Sequence, residues 1–314
     1  MKSPEIQERA QSNGVVWVAL GASLWGFDAV LRQPLTDTLA SSTIVFYEHL
    51  ILAVALLPPA VLQRRTWRAF RLTQWLAVLW IGWGGSALGT LCYTQAIKLG
   101  NPTAVVFLQK LQPLIAVLLA RLWLRETQPL RGRFWVSLGF AMGAALLISV
   151  GGGNNWTLQG DPFRASSFWA LAAAAIWGSC TVAGRYLLPD VSPLLLTSLR
   201  ILLALPLLSV LVLAGSPSVS LPTVEAGDFL SLLLLALVPG FLGLFVYYWG
   251  LHRTPASLAT LAELCFPAAA AVLNWVFLGT EVTPVQLIGV GLLWAAVLWS
   301  QRVRGGENRS IRET

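Results

Sequence analysis

Five charged residues stand where a chain of this kind tolerates charge least. Asp28, Glu48, Lys110, Arg200 and Glu263 each interrupt an apolar run long enough to cross a bilayer, and Arg32 follows Asp28 by four residues, on the same helical face. A lone charge at the bilayer centre costs about 2.5 to 3.5 kcal/mol on insertion scales, so five uncompensated charges together would rival the stability of a domain. Such groups pair with one another or face a watery interior, where they serve as locks between helices, as gates, or as ligands for a polar cargo. No metal-ligand spacing, nucleophile–base constellation or phosphate-binding loop accompanies them. An enzyme is therefore not expected, nor a resident metal or cofactor, and ATP-driven pumping would need a separate chain.

Lys110 and Glu263 share a setting. The stretch PTAVVFLQKLQPLIAVLLARLWLRE (102–126) has a second version at 255–281. Each copy opens with a proline, is interrupted by a charge, Lys110 or Glu263, and then by Pro113 or Pro267, and ends near Glu126 or Glu281. A proline inside a helix strips the carbonyl four residues back of its partner, here Gln109 and Glu263 itself. Irregular backbone survives in hydrocarbon only where protein or a water-filled cavity surrounds it, so both segments are expected to face an interior pathway.

The elements that position these residues follow from composition. The 314 residues are 56% hydrophobic and 11% charged, with a mean hydropathy of +0.69, which reads as an all-α integral membrane protein. The net charge of +7 forms no continuous basic face, which argues against a nucleic-acid partner. Ten spans are expected, near 14–33, 41–62, 74–97, 102–124, 134–150, 167–188, 193–214, 228–251, 256–279 and 284–301. Arginines and lysines cluster before span 1 and after spans 2, 4 and 10, so the positive-inside rule puts both termini in the cytoplasm of a multi-pass plasma (inner) membrane protein. Cys92, Cys180 and Cys265 lie inside apolar runs and read as small packing residues. His49 and His252 lack metal spacing.

The chain also repeats itself. Trp25-Gly26 recurs as Trp177-Gly178, Glu48 aligns with Arg200, Gly89 and Tyr93 with Gly243 and Tyr247, and Lys110 with Glu263, at offsets of about 152 to 154 residues. Five spans per half is an odd number, so the second half enters the bilayer in the opposite sense. The expected fold is ten transmembrane helices as two inverted five-helix repeats, 1–150 and 151–314, with a site at their interface near the midplane. Glu48 with Lys110, and Arg200 with Glu263, lie at comparable depths and are expected to form two ion-paired layers. Trp25, Trp177, Tyr93 and Tyr247 are candidate cavity walls, although a Trp beside Gly also suits plain helix packing.

The doubled WG pair, Arg200 in the second helix of the second half, the G-x-x-x-Y runs and the proline-broken helices ending near Glu126 and Glu281 resemble the EamA domain of the drug/metabolite transporter superfamily. The resemblance covers nearly the whole chain, twice. It implies a pathway lined mainly by the first, third and fourth helices of each half, and a member that moves small metabolites, often outward in bacteria. The charges at Asp28, Glu48, Lys110 and Glu263 depart from the commoner pattern. The function expected is a secondary active exporter of a small polar metabolite, with an amino acid or similar zwitterion as the leading class, protons as the candidate coupling ion and a homodimer as a candidate assembly. A passive channel, an intramembrane enzyme and a non-transporting receptor remain as alternatives.

The arginine distribution makes a topological prediction. In intact cells, a membrane-impermeant thiol reagent should label Ser218→Cys and leave Arg68→Cys untouched; the reverse pattern inverts the orientation.

Overall fold

The computed structural model describes residues 4–100, 102–109, 111–124, 132–150, 161–215, 223–278, 283–293, 295–296 and 299. Among them every regular element is a helix. In the first half these are α1 (Pro4–Leu24), α2 (Gly26–Thr38), α3 (Ser41–Leu62), α4 (Arg64–Arg68), α5 (Leu72–Leu79), the π-helical π1 (Trp80–Gly89), α6 (Thr90–Leu99), α7 (Pro102–Gln109), α8 (Gln112–Trp123) and α9 (Gly132–Val150). The second half has α10 (Asp161–Leu187), α11 (Pro193–Gly215), α12 (Ala226–Leu235), the π-helical π2 (Ala236–Gly243), α13 (Leu244–Leu251), α14 (Ala256–Ala262) and α15 (Cys265–Leu278), followed by a shorter apolar helix, Pro284–Leu293.

Among the described residues, six helical stretches are long and apolar enough to cross a membrane: Gly14–Thr38, Ser41–Leu62, Leu72–Leu99, Ala165–Leu187, Pro193–Gly215 and Ala226–Leu251. Two of the remaining expected spans are divided where the prolines fall. α7 stops at Gln109 and α8 starts at Gln112 with Pro113 in its first turn; α14 stops at Ala262 and α15 starts at Cys265, two residues before Pro267. Proline cannot donate within a helix interior but suits a first turn, so each residue ends one helix and begins the next. Large side chains such as Val54, Leu62, Leu122 and Val210 lie exposed on the outer surface, which suits a lipid environment and not water.

Span 1 runs further than expected. Hydropathy placed Arg32 at its outer end, yet α2 continues through Pro34 to Thr38 and Arg32 is only 1% exposed. The reason is local: its charge is matched inside the protein, as described below.

The two halves interlock by their opening helices. α1 packs on α13 and α15 of the second half, α10 packs on α6 and α8 of the first, and α3 lies along α11. The largest buried apolar cluster accordingly mixes both halves, with Val15 and Val18 beside Leu195, Tyr247 and Leu251. Close approach is set by glycine at two matched positions. A Cβ on Gly89 would sit 2.7 Å from the indole nitrogen of Trp177, and one on Gly243 would sit 2.9 Å from the ring of Trp25. Each tryptophan of a WG pair thus rests on the glycine that opens the other half's G-x-x-x-Y run.

Candidate functional site

Between the halves lies a cavity of about 130 Å³, reached by side chains from both. One end is built around Arg32. Its Nε donates to Asp28 Oδ1 at 2.6 Å and its Nη2 to Asp28 Oδ2 at 2.7 Å, the two-pronged geometry that a guanidinium makes with a carboxylate one helical turn away. The same Nη2 reaches Glu48 Oε2 at 2.9 Å, and Nη1 donates to Thr94 Oγ1 at 3.0 Å. One side chain therefore ties α2, α3 and α6 together. Glu48 was expected to meet Lys110; Lys110 lies outside the described residues, and the partner Glu48 has in the structure is Arg32.

The second expected layer is replaced by two separate clusters. Arg200, on α11, donates from Nε to Ser86 Oγ at 2.7 Å and from Nη1 to Tyr248 Oη at 2.8 Å. Among the described residues no carboxylate lies within ion-pairing distance of it. Glu263, at the α14–α15 break, accepts from Gln112 Nε2 at 2.6 Å and from Tyr247 Oη at 2.7 Å. The cause is the adjacent pair Tyr247 and Tyr248 on α13. Neighbours on a helix point about 100° apart, so one hydroxyl takes Glu263 and the other Arg200, holding cation and carboxylate apart. Thr181 Oγ1 completes the Glu263 cluster at 3.1 Å from Tyr247 Oη. The loose carbonyl expected at Glu263 is also occupied: the N–H of Phe266 donates to it at 3.2 Å, tightening the break into a single turn.

Aromatic pairs close the cavity on two sides, each drawn from both halves. Trp25 meets Tyr247 with ring centroids 5.0 Å apart, and Trp177 meets Tyr93 at 5.3 Å, both tilted. The indole of Trp177 donates to Gly85 O at 2.8 Å, satisfying a carbonyl within the widened π1 turn. All the expected cavity residues among the described ones, Trp25, Asp28, Arg32, Glu48, Tyr93, Trp177, Arg200, Tyr247 and Glu263, line this one space. Pro113 and Pro267 are buried at the two helix breaks beside it. Asn155, which opens an Asn-Trp-Thr sequon, lies outside the described residues. His49 and His252 each bond a backbone carbonyl, Val45 O at 2.8 Å and Leu188 O at 2.6 Å.

Sequence reasoning missed Ser86, Gln109, Gln112, Thr181 and Tyr248, all placed on this network or cavity. A signal existed for two of them. Gln109 and Gln112 flank the break in QKLQP, and glutamines in an otherwise apolar span need internal partners as charges do.

Arg32 yields a stability prediction. Arg32→Ala strands two carboxylates and should cost about 3 to 5 kcal/mol, read as a lowered melting temperature in detergent. Arg32→Lys, which keeps the charge but loses the fork, should fall between, and adding Asp28→Asn and Glu48→Gln to Arg32→Met should recover most of the loss. Equal melting temperatures for wild type and Arg32→Ala would show that the buried cluster does not hold these helices.

Comparison with known proteins adds to the geometry. The model of the EamA-like transporter family matches residues 12–150 and again 164–301. A riboflavin transporter, ImpX, of Fusobacterium nucleatum subsp. nucleatum is 30% identical over 292 residues, covering 91% of this chain and 96% of that one. An uncharacterised transporter, YyaM, of Bacillus subtilis is 23% identical over 207 residues, 66% of this chain and 67% of its own. A solved crystal structure shares the fold with a TM-score of 0.72 at 17% identity, over 93% of this chain and 97% of that one. With apolar membrane-length helices, a shared internal cavity and two full family matches, the chain is a multi-pass membrane transporter and not an enzyme, and it belongs to the EamA-like transporter family.

Proposed function

We propose that this protein is a secondary active carrier that moves a small polar metabolite through the cavity by alternating access, and that its cargo is a flavin of the riboflavin type. Its ten helices act as two inverted five-helix repeats, 1–150 and 151–314, in the plasma membrane with both termini cytoplasmic. The observation that carries the reading is the pair of crossed aromatic contacts, Trp25 with Tyr247 and Trp177 with Tyr93. Each wall of the cavity is made by both halves, so rocking one half against the other opens one wall while the other stays closed. Flat aromatic walls with polar groups between them suit a planar, polar heterocycle, and the similarity to a riboflavin transporter supports the same class.

A zwitterion is the second reading, favoured by Arg200 and Glu263 facing one cavity with opposite charge. Export is the direction that the family resemblance implied, and protons, acting through Asp28, Glu48 or Glu263, are the proposed coupling ion.

Proteoliposomes decide between these. Vesicles loaded with unlabelled riboflavin should take up labelled riboflavin in a saturable counterflow, and Trp25→Ala and Trp177→Ala should each slow it at least about tenfold, the loss of a stacking wall. Counterflow with amino acids and not with flavins shifts the cargo to the second reading. Flux that never saturates makes the protein a channel. Imposing a pH gradient of either sign on wild-type vesicles tests coupling: accumulation against the flavin gradient in neither case excludes protons.

A further inference from the structure

The repeat places equivalent aromatic residues at equivalent positions, but their polar heads are not equally satisfied. In the second half, the indole of Trp177 donates to Gly85 O and the hydroxyl of Tyr247 is held by Glu263 and Thr181. Their first-half counterparts differ. Tyr93 Oη is buried with no hydrogen-bond partner, and Trp25 Nε1 has none among the described residues. Gln109 Oε1, on the last residue of α7 and in the lining of the same cavity, is likewise buried and unpartnered. Tyr93 is 3% exposed and Gln109 8%, and all three side chains line the cavity.

Buried polar atoms without partners are uncommon, because each forfeits its hydrogen bonds to water and gains nothing in return. Two such groups, Tyr93 Oη and Gln109 Oε1, line one cavity, both contributed by the first half, and the half-buried Trp25 adds an indole N–H unpaired among the described residues to the same lining; a ligand explains them better than chance packing. Their chemistry is specific: Trp25 Nε1–H and Tyr93 Oη–H donate, while Gln109 Oε1 accepts. Two donors and one acceptor suit an edge that presents two acceptors and one donor. A cyclic imide offers that edge as C=O, N–H, C=O.

We infer that Trp25, Tyr93 and Gln109 read the imide edge of a planar heterocycle, the edge that a flavin shares with uracil, while their second-half ring partners, Tyr247 and Trp177, are held in place by hydrogen bonds of their own. The inference rests on the flavin reading for its first ligand but on the orphaned groups for the edge. It also assigns specificity unevenly: the first half selects and the second half holds, with the Glu263 cluster keeping Tyr247 in place.

The test uses the purified full-length protein in lipid nanodiscs and titrates riboflavin, N3-methylriboflavin and uracil, reading intrinsic tryptophan fluorescence and calorimetry. Methylation removes the one imide donor and adds bulk at that edge, so wild type should bind N3-methylriboflavin at least about tenfold more weakly than riboflavin. Tyr93→Phe and Gln109→Leu should each weaken riboflavin about tenfold, and Gln109→Leu should also narrow the gap between the two flavins, since the acceptor of the imide N–H is gone. Equal affinity of wild type for both flavins overturns the edge assignment while leaving the flavin cargo standing, and this arm needs no variant to fold. Uracil binding that weakens in both variants, with no riboflavin binding, supports the edge and removes the flavin. Binding of none of the three overturns both.

Discussion

A guanidinium among apolar helices survives only if protein groups replace its water, and Arg32 shows how completely this chain meets that demand. It is 1% exposed, and two carboxylates and a hydroxyl take its donors from three different helices. Coulombic attraction is strong in so apolar a place, but so is the cost of desolvation, so the cluster fixes position more than it adds stability. Moving α2, α3 or α6 relative to the others means breaking charge-assisted bonds with no solvent ready to replace them. That turns these three helices into one mechanical unit.

The same constraint explains the rest of the cavity. Arg200 and Glu263 each obtain hydroxyl or amide partners, and consecutive tyrosines on α13 keep them apart. The π-helical turns create backbone carbonyls with irregular geometry, and in π1 one of these is taken by a tryptophan from the opposite half. Glycines at matched positions let the two tryptophans approach. At the cavity itself the halves meet through ring contacts at each wall and through three hydrogen bonds, Trp177 to Gly85, Gln112 to Glu263 and Arg200 to Ser86, beside the packed seams of α1 with α13, α10 with α6 and α3 with α11. Separable contacts at two walls around one polar space are what a carrier that opens to each side in turn requires.

Much of this was legible in the residues. Hydropathy located the membrane-length helices, the two prolines located the helix breaks, and the internal repeat singled out four of the six aromatic residues that line the cavity. Two readings failed for identifiable reasons. Arg32 looked like the end of a span because a hydropathy window weighs charge and not the carboxylate one turn earlier or the one on the next helix. The Arg200–Glu263 pair looked sound because depth along a span can be counted, whereas the direction of a side chain around the helix cannot be set without knowing what packs there. Tyr248 was the deciding residue, and in FVYYW it looked like one more apolar aromatic. The unequal satisfaction of Tyr93 and Tyr247 was beyond the sequence altogether, since the two tyrosines occupy equivalent positions in the repeat.

The transport cycle proposed for this protein opens one cavity between the halves to each face of the membrane in turn. Cys180 lies in its wall and is free. With Cys92→Ala and Cys265→Ala removing the other thiols, a small membrane-impermeant thiol reagent can be applied to right-side-out or inside-out vesicles while the protein turns over. Alternating access through this cavity predicts that Cys180 reacts from both faces. Reaction from one face alone, or from neither, would contradict it.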